Sequence, residues 1–115
     1  DTEAWMSIKF EITRTEKGEF HFKLLSAEGK TLVRSEGYNA KSSCANGVES
    51  VRKNAADDKR YELKEASDGR PYFNLKASNG QIIGTSPMFA DAAARDAAIA
   101  AMKSGAASAE VDDKS

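Results

Sequence analysis

Cysteine and histidine each occur once, as Cys44 and His21. A single cysteine excludes an intramolecular disulfide and a cysteine-based metal cluster, and it fits a reducing compartment. No His/Asp/Glu cluster has metal-ligand spacing, and the sequence holds no Gly-rich phosphate loop and no Gly-x-Ser-x-Gly elbow. No apolar run approaches the ~20 residues needed to cross a membrane. Charge of one sign is not in excess either: 17 basic residues face 18 acidic ones, for a formal net charge of −1. Binding driven by counterion release needs a basic excess or a clustered basic face; the total offers none, which leaves the distribution to decide. The opening DTEAWMSIKF has neither the basic start nor the apolar core of a signal peptide. A cytoplasmic protein is expected, with a mature secreted domain shorn of its leader as the alternative. Met6-Ser7 reads as a start, which leaves residues 1–5 as an N-terminal extension.

What the chain does have is a repeat. GEFHFKLLSAEGKTLVRS, from Gly18 to Ser35, aligns without a gap on GRPYFNLKASNGQIIGTS, from Gly69 to Ser86, at an offset of 51 residues. Internal similarity at a fixed period has to be settled before any fold is assigned. With 115 residues, 40 % hydrophobic and 30 % charged, the chain is a single globular domain with one modest core. It divides into a first repeat of about residues 7–58 and a second of about 59–112.

Each repeat opens with period-two alternation, the mark of a half-buried strand. Ile8, Phe10 and Ile12 fall on one face of the first strand, and Phe20, Phe22 and Leu24 on one face of the second; a third strand is centred on Leu32. Gly18 and Gly29 mark the turns. In the second repeat Asp68-Gly69 and Asn79-Gly80 predict type I′ hairpins. Pro71 replaces Phe20 and cannot donate a ladder hydrogen bond, so it belongs at a strand start or an edge. From Asn39 the period becomes helical: Cys44, Val48, Val51 and Ala55 form one stripe, with Asn39 or Ser42 as the N-cap. Asp91 caps the second helix, where Arg95, Ile99, Met102 and Ala106 repeat that register, Arg95 standing at the rim. Gly47 and Ala98 are equivalent and both small, which predicts close approach of the helix backbone to its neighbours.

These segments, together with NGVESVRKNA, resemble the YegP-like family, small bacterial and archaeal proteins of uncharacterised function. The resemblance covers about residues 7–107. It implies an α+β fold of two tandem β-β-β-α-β repeats, forming one antiparallel sheet with both helices packed on one face. It further implies that the strands following each helix, Tyr61 to Glu65 and Glu110 to Asp112, are exchanged between repeats. The family has no established activity.

Candidates for chemistry are few. His21 alternates outward, with Glu11 or Thr31 as its expected neighbours; a general base needs a partner within hydrogen-bond reach, and a solvent-facing strand residue is the plainer reading. Cys44 sits on the apolar helix stripe and reads as a small core residue. Asp57-Asp58 and Asp112-Asp113 read as solvated charge. Hydroxyls near Ser35 to Ser43 suit an anion at a helix start, although simple capping explains them. No catalytic, cofactor or metal site is expected. The strongest feature is the sheet face opposite the helices. Alternation places Leu25, Thr31, Val33, Tyr72 and Ile82 there, among His21, Lys23, Asn74 and Lys76. The expectation is a non-enzymatic interaction module that binds a protein partner, or a second copy, through Leu25, Val33, Tyr72, Ile82, His21, Lys23 and Lys76. Weak single-stranded nucleic-acid binding through the same face is the alternative.

Overall fold

The computed structural model describes residues 8–115; the residues 1–5 read as an extension lie outside it. Among the described residues seven strands and two helices follow in chain order: β1 (Lys9–Arg14), β2 (Phe20–Leu25), β3 (Thr31–Arg34), α1 (Lys41–Asn54), β4 (Tyr61–Glu65), β5 (Pro71–Lys76), β6 (Ile82–Thr85), α2 (Ala92–Gly105) and β7 (Glu110–Asp113). They form one sheet in the order β4-β5-β6-β3-β2-β1-β7. Every neighbouring pair is antiparallel except β1 and β7, which run parallel. At the seam between the copies, the β3–β6 ladder has a single paired position, Arg34 opposite Thr85.

All four hairpin turns share one geometry. Gly18, Gly29, Gly69 and Gly80 have φ between 84° and 87°, and no described non-glycine residue has positive φ. In each turn the glycine N–H donates back three residues, as from Gly69 to the Ala66 carbonyl at 2.9 Å. A type I′ turn needs positive φ at both central positions, so Asp68-Gly69 and Asn79-Gly80 do not form it; they are type I turns closed by a left-handed glycine.

One core holds the inner residues of the strands and both helices. Phe10, Phe22, Phe73, Leu24, Leu75, Val33, Cys44, Val48, Val51 and Met102 are completely buried, and Ala55, Ala98, Ala106 and Ala109 belong to the same cluster. The Cys44 helix stripe is therefore core, and both helices lie on one side of the sheet. The expected N-caps of α1 are replaced by Ala40, which offers no side-chain bond, whereas Asp91 caps α2 by accepting from the Ala94 N–H at 2.8 Å.

The strands after the helices are exchanged. The chain leaving α1 passes through a 3-10 turn (Asp58–Arg60) to the second-copy half, and the chain leaving α2 passes through another (Ala106–Ser108) to pair with β1. The last turn of each helix grips the other's exit: Arg52 donates to the Ala109 carbonyl at 2.6 Å, and Lys103 pairs with Asp58. Arg52 also lies 5.5 Å over the Phe10 ring.

The same buried serine closes each copy. Ser35 Oγ accepts from the Phe22 N–H at 2.9 Å and donates to the Glu36 carbonyl. Ser86 Oγ accepts from the Phe73 N–H at 2.9 Å and donates to the Pro87 carbonyl. Tyr38 bridges to Phe20 through two backbone bonds, but Phe89 makes only one to its counterpart, Pro71, because proline has no N–H to return.

Candidate binding face on the open side of the sheet

The register lays one polar row across the uncovered face. From one edge it runs Asp112, Glu11, Lys23, Arg34, Thr85, Asn74, Glu62, each directly opposite the next. Glu11, Lys23 and Arg34 are the repeat equivalents of Glu62, Asn74 and Thr85, so the row is mirrored about the seam between β3 and β6. Its two halves differ in chemistry. In the second copy Thr85 donates to Asn74 at 2.9 Å, Asn74 donates to Glu62 at 3.1 Å and Lys76 takes the other Glu62 oxygen at 2.9 Å. The Lys76 bond, then the Asn74 bond, hold the Glu62 carboxyl below its usual range. In the first copy Glu11 is taken by Lys114 at 3.1 Å and Asp112 by Lys9 at 3.3 Å. Lys23 and Arg34 form no ion pair with any described residue, and they stand side by side.

The residues expected on this face are distributed unevenly. Val33 is not on it: the side chain is completely buried in the core. A β-bulge between Leu24 and Leu25 puts the extra residue Leu32 in β3, so Leu32 and Val33 both turn inward and Arg34 turns out opposite Lys23. Leu25 faces the open side opposite Lys9 but is only 9 % exposed. Ile82 is 49 % exposed and lies opposite Lys76. Tyr72 is half-buried opposite Lys64, and His21 is half-buried opposite Thr13 rather than Glu11 or Thr31. Simple alternation across the same bulge hid Arg34. The serine pair Ser35 and Ser86 was also missed, although an identical serine at each third-strand exit was visible in the repeat.

The profile of a domain of unknown function, DUF1508, matches this chain twice, over residues 16–62 and 66–113. The chain belongs to the DUF1508 family. It is 49 % identical over 106 residues to the UPF0339 protein of the ptx operon 5′ region of Stutzerimonas stutzeri, covering 92 % of this chain and 96 % of that one. It is 44 % identical over 104 residues to the UPF0339 protein YegP of Escherichia coli K12, covering 90 % and 94 %. The solution structure of Escherichia coli YegP, described as a protein of unknown function, superposes with a TM-score of 0.88 at 43 % identity, covering 95 % and 94 %. That of the Shewanella oneidensis UPF0339 protein gives 0.88 at 39 % identity, covering 94 % and 92 %.

Elsewhere in this DUF1508 chain several titratable groups are held by burial or by structural partners. Burial pushes the Cys44 thiol up, away from the reactive thiolate. Burial, then Asp58, raises Tyr61, whose hydroxyl donates to the Ala55 carbonyl. Asp57 caps its 3-10 turn by accepting from the Lys59 N–H, and Asp113 pairs with Lys41. No group of three or more His, Cys, Asp or Glu that suits a metal occurs among the described residues. No helix of the described residues is long and apolar enough to cross a membrane. Lys23, Thr31, Arg34 and Pro87 line a recess of about 210 Å³ at the seam. On the helix side, Leu32, Phe89, Ala97 and Ala101 help line a groove of about 630 Å³ along α2.

Proposed function

We propose that this protein is a small non-enzymatic binding module that receives a protein partner on the open face of its sheet. The observation that carries this reading is that both helices pack on one side, which leaves Lys23, Arg34 and Ile82 accessible on the other. Every carboxylate of the polar row is paired with a described residue, while Lys23 and Arg34 form no ion pair with any described residue, so the complementary surface presents negative charge. Ile82 and Tyr72 supply apolar contact beside it.

The test compares two full-length variants. Ile82→Glu combined with Tyr72→Glu should abolish capture of partners by the wild-type protein, or its self-association by light scattering; Ala97→Glu, on the helix side, should leave both intact. Equal behaviour of the two variants would end the proposal.

A second reading, single-stranded nucleic acid, draws on Tyr72 opposite Lys64, together with Lys23 and Arg34, which form no ion pair with any described residue. A net charge of −1 weighs against it. Oligonucleotide binding that is absent, or that does not weaken with salt, removes it.

A further inference from the structure

We infer that the seam recess between Lys23 and Arg34 is a phosphomonoester-binding site. This rests on the open face being the binding face, and it names the ligand chemistry there. Like charges directly opposite on neighbouring strands destabilise a sheet, yet Lys23 and Arg34 are such a pair. Their equivalents Asn74 and Thr85 are neutral and hydrogen-bonded to each other at 2.9 Å. The duplication thus shows what the scaffold uses at these positions when only a scaffold is needed. The first copy departs from it by two cations, and the acids in register with them, Glu11 and Asp112, are bound to Lys114 and Lys9.

The recess lining agrees. Lys23, Thr31, Arg34 and Pro87 line about 210 Å³ without a carboxylate; the residue equivalent to Pro87 in the first copy is Glu36. Arginine offers a planar fork of donors, lysine a compact charge with three, and threonine a hydroxyl. Two cations match the roughly −1.5 to −2 charge of a phosphate monoester near neutral pH. A carboxylate or a phosphodiester, each carrying a single charge, leaves one cation unmatched.

The full-length protein is titrated with inorganic phosphate at constant ionic strength, following backbone amide resonances. A saturable shift confined to Lys23, Thr31, Arg34 and their neighbours is expected, with acetate giving none. Lys23→Gln and Arg34→Gln should each weaken binding about tenfold while the remaining spectrum stays superimposable, and Lys23→Arg should retain it. A 5′-phosphorylated oligonucleotide should bind more tightly than the unphosphorylated one, and a mononucleotide should match the phosphorylated strand if the natural source is a small molecule. The site is refuted by absence of saturation, by an equal shift with acetate, by indifference to Arg34→Gln, or by equal binding of the unphosphorylated strand. If phosphate fails while Ile82→Glu with Tyr72→Glu still abolishes partner capture, only this site falls. If phosphate binds and capture ignores the face variants, the module reading falls and the site stands.

Discussion

Val33 and Gly84 occupy equivalent positions in the two copies and meet at the seam, where a Cβ on Gly84 would lie 3.3 Å from the Cβ of Val33. An exactly symmetric duplication would bring two valines together there, and the space holds one. Gly84→Val should therefore destabilise the protein by roughly 1–3 kcal/mol through overpacking. Combined with Val33→Gly, which empties the opposing position, it should cost less than the two single changes summed. Denaturant unfolding of the four members of this cycle measures the coupling; additivity would show that the two sites do not compete for volume.

The second asymmetric pair lies under the helices. Tyr38 stacks on Phe22 and Phe89 on Phe73, with ring centroids 6.4 and 6.2 Å apart. Only Tyr38 carries a hydroxyl, and a Cβ on Gly47 would come within 2.6 Å of it and 2.8 Å of the Phe22 ring. The equivalent Ala98, above the smaller Phe89, keeps its methyl. Gly47→Ala should lower stability despite the ~1 kcal/mol gained in helix propensity. Tyr38→Phe in that background should recover part of the loss, and calorimetric melting of the three proteins checks it.

Ser35 and Ser86 test whether the copies are energetically equivalent. Each supplies the acceptor for a buried strand N–H, from Phe22 and from Phe73. Ser35→Ala and Ser86→Ala should each cost about 1–3 kcal/mol, because a buried donor is left unpaired. Unfolding free energies that differ widely between them would mean that the two halves do not share one closing motif.

Much of this was legible beforehand, and the boundary falls at one kind of feature. Phe10, Phe22, Leu24, Phe73 and Leu75 follow from alternation, and Cys44, Val48 and Val51 from helical spacing, because burial imposes those periods directly. Val33 and Arg34 were not legible. A bulge leaves no composition signal, yet it reverses every later residue in its strand, so it removed an apolar residue from the open face and delivered a cation to it. The parallel pairing of β7 with β1 was equally invisible, since it depends on where the chain travels after α2 rather than on the residues of β7. The side-chain network Glu62–Asn74–Thr85 needed three strands in register before its members could be recognised as neighbours.

Acid should act first on the exchanged strand. Asp113 accepts from Lys41 and from the Ser115 hydroxyl and N–H, at 2.6 and 3.0 Å, and the Lys41 bond above all holds its carboxyl down at about 2. The ordinary unfolded value is about 3.9, so the folded pKa is the depressed one. The stabilisation is complete above about pH 4 and is lost as pH falls toward about 2. Asp113 is exposed and solvent screens the contact, so the readout is local. Amides of β7 should lose exchange protection across that window before those of β2, and Asp113→Asn should flatten the dependence. Simultaneous loss in β2 and β7 would contradict it.

Lys23 and Arg34 separate a binding role from a structural one, because the two make opposite demands on stability. As directly opposed cations without an acidic partner among the described residues, they repel, and the penalty at a solvated surface is on the order of a few tenths of a kcal/mol. Arg34→Gln should therefore leave unfolding free energy unchanged or slightly raised, more so at low salt where screening is weak, while phosphate binding is lost. Had the pair been part of the scaffold, the same substitution would lower stability at every ionic strength, as breaking the Glu62–Asn74–Thr85 network with Asn74→Ala should. Chemical denaturation of Arg34→Gln and Asn74→Ala at two salt concentrations distinguishes these cases, because only a cation kept for a ligand is more costly to the fold when present than when removed.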